Sequence, residues 1–145
     1  EVQALTTTSP GNNPMRRTTG FDNARAAMLI AVTERAARLK LWDKDVYLAT
    51  VAGAKISDPG ADLAMCLAIT SAARDSALPI DLVAIGEVAL SGDVRPVPGM
   101  NQRLSEAARI GFKTALVPKS THLPSGVKGL RLIEVGSLAD AVNAI

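Results

Sequence analysis

KISDPGADLAMCLAI, Lys55 to Ile69, reads as the end of a strand, a tight turn and then a helix. Asp58 is a helix-capping residue type and Pro59 suits the first helical position, so the spacing predicts a helix from Pro59 to about Arg74. No charge interrupts Leu63 to Ala73, which predicts burial on most sides and the central place in the fold. Strand–turn–helix junctions of this kind often hold a nucleophile at the turn. Here the turn offers Gly60, which has no side chain to react.

Outward from this junction, helical and extended patterns alternate. Val2 to Thr8 is β-branched and alternating and reads as a first strand, with SPGNNPMRRTTG, Ser9 to Gly20, as a turn-rich loop and a possible long hairpin. Asp22 caps a helix predicted to run to about Lys40, with Leu29, Val32, Ala36 and Leu39 on one face and Arg35, Arg38 and Lys40 near its end. Asp45 to Val51 reads as a strand. Leu82 to Leu90 and Val94 to Val97 flank SGD as a β-hairpin. A helix from about Met100 to Ile110, closed by Gly111, precedes a strand in KTALVPK, a short strand over Leu130 to Val135 and a last helix capped by Ser137. This order predicts an α/β fold, a layered sandwich in which helices cover a mixed sheet.

The 145 residues, 48% hydrophobic and 21% charged, suit one globular domain with a real core and argue against global disorder. The longest uncharged run is too short to cross a bilayer. A lone Cys66 in an apolar helix forms neither an internal disulfide nor a zinc site; a buried, inert thiol is expected, in keeping with a reducing cytoplasm. The opening EVQALTTT reads as a strand already in progress, as in a piece of a longer protein. A net charge of +2 names no partner by itself, so a nucleic-acid reading must rest on where the cations lie.

Several chemistries have no residues to carry them. No G-x-x-x-x-G-K-[ST] is present to cradle a nucleotide's phosphates, and the glycines of GEVALSG suit a hairpin better than a phosphate turn. His122 is the sole histidine and lies in a Pro/Ser loop, where a surface residue is expected rather than a triad member. Glu87, beside Gly86, reads most simply as hydrogen-bonded within the hairpin, with a buried acid as the other reading. Lys55 and Ser57 are close in sequence and are the pair to which a displaced serine–lysine dyad would fall.

Taken in order, EVQAL, RRTTGFDNARAAMLIAV, DPGADLAMCLAI and GEVALSGDVRPVPGMNQRLSEAARIGFKTALVPK resemble the proteolytic domain of Lon-type proteases. They resemble still more closely the Lon-like C-terminal domain of the RadA (Sms) family of bacterial DNA recombination and repair ATPases, and the likeness runs the length of the chain. The Lon turn has the form G-P-S-A-G-I-A-M. Aligned on Ala64-Met65, its proline falls on Pro59 and its nucleophile on Gly60. The segment bearing the protease's base, P-I-G-G-L-K-E-K-L, aligned on Pro96 and Leu104, puts its lysine on Asn101. The resemblance therefore implies a degenerate protease domain, with both dyad positions, Gly60 and Asn101, lacking the chemistry.

It further implies one Lon-like domain over residues 1–145, as the C-terminal part of an ATP-driven branch-migration motor that forms a ring, a hexamer in the full-length protein. The zinc finger and RecA-like core of such a motor, with their ATP, Mg and Zn, lie outside this chain, for which no cofactor is expected. The roles left to it are assembly and DNA binding, in the cytoplasm and away from membranes. Arg16, Arg17, Arg25, Lys55 and Arg95 are the expected basic face for DNA phosphates. Arg25 stands in the first turn of its helix, where the macrodipole disfavours a cation, and this invites an external anion. With aromatic residues at 3%, phosphate contacts are expected without a base-stacking platform. A Lon-like serine peptidase using Lys55 and Ser57 is the alternative reading, and a plain scaffold with solvated charges the third.

Overall fold

The computed structural model describes residues 1–11, 13–120 and 126–145. The central helix α2 (Asp62–Arg74) is entered through a single 3-10 turn, Pro59–Ala61, with Asp58 as its cap, as the sequence predicts. Leu63, Met65, Cys66, Leu67, Ile69 and Thr70 are all buried in it. Burial pushes the Cys66 thiol up to about 12, which makes it inert as a nucleophile.

One sheet holds β1 (Val2–Thr8), β2 (Arg16–Thr19) and β3 (Lys44–Thr50) in the order β1-β3-β2. β1 runs antiparallel to β3, from Val2 opposite Thr50 to Thr8 opposite Lys44, whereas β2 runs parallel to it, with Arg16 beside Val46 and Thr19 beside Ala49. The Ser9–Gly20 segment is therefore not a hairpin, because β3 lies between β1 and β2. Val46 and Leu48 of this sheet pack on Ala26 and Ile30 of α1 (Asn23–Ala36), Leu41, and Ile69 of α2. Asp22 caps α1 as expected, but the helix stops four residues short of Lys40, where the chain turns through Arg38 at φ 53°.

The second sheet joins β4 (Leu82–Ala84), β7 (Thr114–Pro118) and β8 (Arg131–Val135), all parallel, in the order β4-β7-β8. Leu116 and Val135 face α2 and α4 (Leu138–Asn143). Ala115 and Val117 face Met100, Leu104 and Ala107 of α3 (Met100–Ile110). This sheet is thus covered on both sides, which accounts for the apolar run TALVP. The last helix carries a full capping box between Ser137 and Asp140, and Gly111 closes α3 at φ 108°.

The hairpin expected from Leu82 to Val97 exists only in its tip, where β5 (Glu87–Val88) pairs with β6 (Val94–Arg95). The run breaks at Gly86, whose amide donates to Gly60 O (3.0 Å) and whose carbonyl accepts from Leu63 N (3.1 Å). A Cβ at Gly86 would lie 2.7 Å from Val94 Cγ1, so the close approach needs a glycine. These two bonds fasten the hairpin to the turn that enters α2. Among the described residues, no helix is long and apolar enough to cross a membrane.

Candidate functional site

The first turns of α1, α2 and α3 converge at the junction that the sequence singles out. Carboxylates stand at the positive ends of α1 and α2. Asp22 accepts from Arg25 N (2.8 Å), and Asp58 Oδ1 accepts from Gly60 N (2.7 Å). Asp62, at the start of α2 and without solvent exposure, accepts from Val88 N (3.1 Å).

Gly60 is buried at the foot of this junction. A Cβ there would lie 2.9 Å from Asp58 Oδ1 and 3.2 Å from both Arg103 Nη1 and Val97 Cγ2. Arg103 reaches this place from α3. Its Nη2 donates to Asp58 Oδ2 (2.6 Å) and its Nε to Pro98 O (2.9 Å). Arg103, and then the Gly60 amide, hold the Asp58 carboxyl below the usual range. The space in front of the position corresponding to the nucleophile is thus taken by an ion pair, and Asn101 lies exposed two residues before Arg103. Lys55 and Ser57 are exposed, and among the described residues no hydrogen bond joins them. Lys55 lacks the apolar enclosure that a lysine base requires.

The expected basic face divides. Arg25 donates from Nε to Asp62 Oδ1 (2.7 Å) and from Nη2 to Asp62 Oδ2, with Glu87 Oε1 3.8 Å from Nη2. The anion that its place in the helix calls for is therefore internal, which corrects the inference of an external one at this residue. The bond to Asp62 lifts its guanidinium above the ordinary value. Glu87 lies in the β5–β6 hairpin ladder, as its simpler reading expects, and is not a buried acid: its side chain is half-exposed and pairs with Arg25. Arg95, directly opposite Glu87 in the β5–β6 ladder, is exposed and without an ion pair among the described residues. Lys55 stands beside Ile56, whose amide donates to Gly20 O (2.8 Å) and so draws this segment to the start of α1. Arg25, Lys55 and Arg95 thus belong to one end of the molecule.

Arg16 and Arg17 lie at the other end of β2, about 10–13 Å from Gly20 by strand rise. Arg16 turns inward, donating to Leu41 O (2.7 Å) and Lys44 O. Arg17 is exposed, and its contact among the described residues is with Met15 Sδ (3.6 Å). His122 lies outside the described residues. Arg103 went unrecognised in the sequence, although it stands in the opening turn of its helix as Arg25 does, and the same helix-field reasoning applied there would have found it.

Comparison with known proteins places this geometry. The model of the Lon protease (S16) C-terminal proteolytic domain matches residues 22–142. The DNA repair protein RadA of Mycolicibacterium smegmatis is 52% identical over 129 residues, 88% of this chain and 28% of that protein. RadA of Pseudomonas aeruginosa is 45% identical over 145 residues, 100% of this chain and 32% of that protein. RadA of Escherichia coli is 42% identical over 143 residues, 99% and 31% respectively. The chain thus spans less than a third of the length of these relatives.

Proposed function

We propose that this chain, which belongs to the Lon protease (S16) C-terminal proteolytic domain family, serves DNA repair as a DNA-binding and assembly domain and does not cleave peptides. The observation that carries the loss of peptidase chemistry is the Arg103–Asp58 pair lying against a glycine where the family's nucleophile falls. Neither glycine nor the asparagine at position 101 can attack or accept a proton as a dyad member does. Serine-directed acylating probes are expected to leave the chain unlabelled. Labelling at Ser57 that disappears in Ser57→Ala would restore the peptidase reading.

The relatives' name, DNA repair protein RadA, supports the repair role. Of the expected basic face, the cations open to a phosphate backbone are Lys55 and Arg95 at the α1–α2 junction and Arg17 farther along β2; Arg25 and Arg16 hold the frame behind them. If about three phosphates are neutralised, log K for duplex binding falls against log salt with a slope of roughly −2.7, and Lys55→Ala or Arg95→Ala flattens it by about 0.9. Unchanged affinity and slope in both variants would leave the scaffold reading in its place. Self-association into the ring that the family resemblance implies is read by light scattering; a strict monomer at every concentration removes that part of the proposal.

A further inference from the structure

Trp42 is 70% exposed at the tip of the turn between α1 and β3, and the turn beneath it is held at every corner. Lys44 N donates to Leu41 O (3.1 Å), which closes the turn around Trp42 and Asp43. Leu41 is fully buried, and its amide donates to Glu34 Oε1 (2.8 Å). Ser9 N donates to Asp43 O (2.9 Å). The guanidinium of Arg16 spans the turn from behind, donating to the carbonyls of both Leu41 and Lys44. So constrained a backbone fixes the point from which the indole projects and leaves a large apolar face in water.

The carboxylates and most of the cations around it are placed differently. The carboxylates turn inward: Glu34 is engaged by Leu41 N, Asp45 is buried with Oδ1 accepting from Met15 N (2.8 Å), and Asp43 Oδ1 is shielded from solvent. Of the cations, Arg16 is drawn in behind the turn and the others keep their charge toward the surface. Arg38 and Lys40 are exposed and have no partner among the described residues, while Lys44 Nζ, bonded to Thr8 Oγ1 (3.0 Å), keeps its charge. A protein-binding patch would call for a contiguous apolar surface. This turn instead exposes one indole, with the cations Arg38, Lys40 and Lys44 as its near neighbours in the chain.

We propose that Trp42 is a stacking platform for an unpaired base of single-stranded nucleic acid, with Arg38, Lys40 and Lys44 meeting the adjoining phosphates. A base inside a duplex has both faces covered, so only an unpaired one can offer its face to the indole. The low aromatic content of the chain argues against an extended platform, yet a single placed indole suffices for one base. This surface is separate from the duplex face: β3 (Lys44–Thr50) begins beside Trp42, and Lys55 lies beyond its other end, about 20 Å away by strand rise.

Trp42 is the sole tryptophan, so the fluorescence of the unaltered chain reports on it directly. Titration with an oligo(dT) of about 12 nucleotides should quench and saturate the emission. With a labelled copy of the same oligonucleotide read by anisotropy, Trp42→Ala should bind about 5- to 150-fold more weakly, and Trp42→Phe should retain most of the affinity. Lys40→Ala should flatten the salt slope by about 0.7, whereas Trp42→Ala leaves it unchanged. Binding of a blunt duplex should not respond to Trp42→Ala, which separates this result from the fate of the Lys55–Arg95 face. Emission unmoved while the oligonucleotide binds, equal affinity in Trp42→Ala, or no oligonucleotide binding at all would overturn the proposal. Emission that answers only to protein concentration would overturn it too, in favour of contact between copies.

Discussion

Arg25→Ala should lower the free energy of unfolding by about 3 kcal/mol, a loss read as a shifted midpoint in urea denaturation. Asp62 has no solvent exposure, and Arg25 supplies two of its hydrogen bonds. Removing the guanidinium leaves a buried carboxylate with the Val88 amide and the field of α2 as its compensation. The loss should fall at the low end for a broken buried pair, because the Arg25 side chain is 34% exposed and water can reach part of the vacated space. Replacing both members by apolar groups, Arg25→Met with Asp62→Leu, should recover much of the deficit, since no charge is then buried alone. In the folded variant, duplex affinity and salt slope should match the parent chain. A variant as stable as the parent but with a salt slope flattened by about 0.9 would instead make Arg25 a phosphate contact.

The residues that were legible in sequence and those that were not differ in how far away their partners lie. Asp22, Asp58, Ser137 and Gly111 act on backbone within a few residues, and each caps its helix where local chemistry predicts. The charge-free run after Asp62 announces α2 because burial on most sides leaves a mark in composition. β2 leaves no such mark. RRTT is short and half charged, and what makes it a strand is a parallel ladder to Val46 and its neighbours, thirty positions on. The break at Gly86 is equally nonlocal, being imposed by Gly60 and Leu63.

The site divides along the same line. Gly60 and Asn101 can be read from the sequence at the positions that align with the dyad, but the placement of Arg103 against Gly60 depends on the approach of α3 to the turn. At Arg25 the helix field rightly called for an anion, and sequence alone could not distinguish a ligand from Asp62, 37 positions away. Arg16 presents the reverse case. As a loop arginine it suggested DNA, yet its guanidinium serves two carbonyls that only the folded turn brings together.

Gly20→Ala should cost about 3 kcal/mol, combining left-handed strain of about 1 kcal/mol with a steric overlap of about 2 kcal/mol. Gly20 sits at φ 85°, and a Cβ there would lie 2.2 Å from Thr50 Oγ1 and 2.5 Å from Ala54 O. The hydroxyl could rotate away only by giving up its 2.7 Å bond to that same carbonyl. The carbonyl itself is backbone, in a segment whose neighbouring amide, Ile56 N, is bound to Gly20 O. Relief must therefore come from the whole segment swinging away, and Lys55 travels with it. Hydrogen exchange at the Ile56 amide should accelerate, and duplex affinity should fall in the folded variant as it does in Lys55→Ala. Gly92→Ala is the control, because Gly92 has φ 93° with nothing within 4 Å of the added Cβ, and it should cost only the conformational part, about 1 kcal/mol. Equal losses in the two variants, with Ile56 still protected, would mean that the contact with Thr50 and Ala54 does not hold Lys55 in place. The duplex face would then need a different anchor.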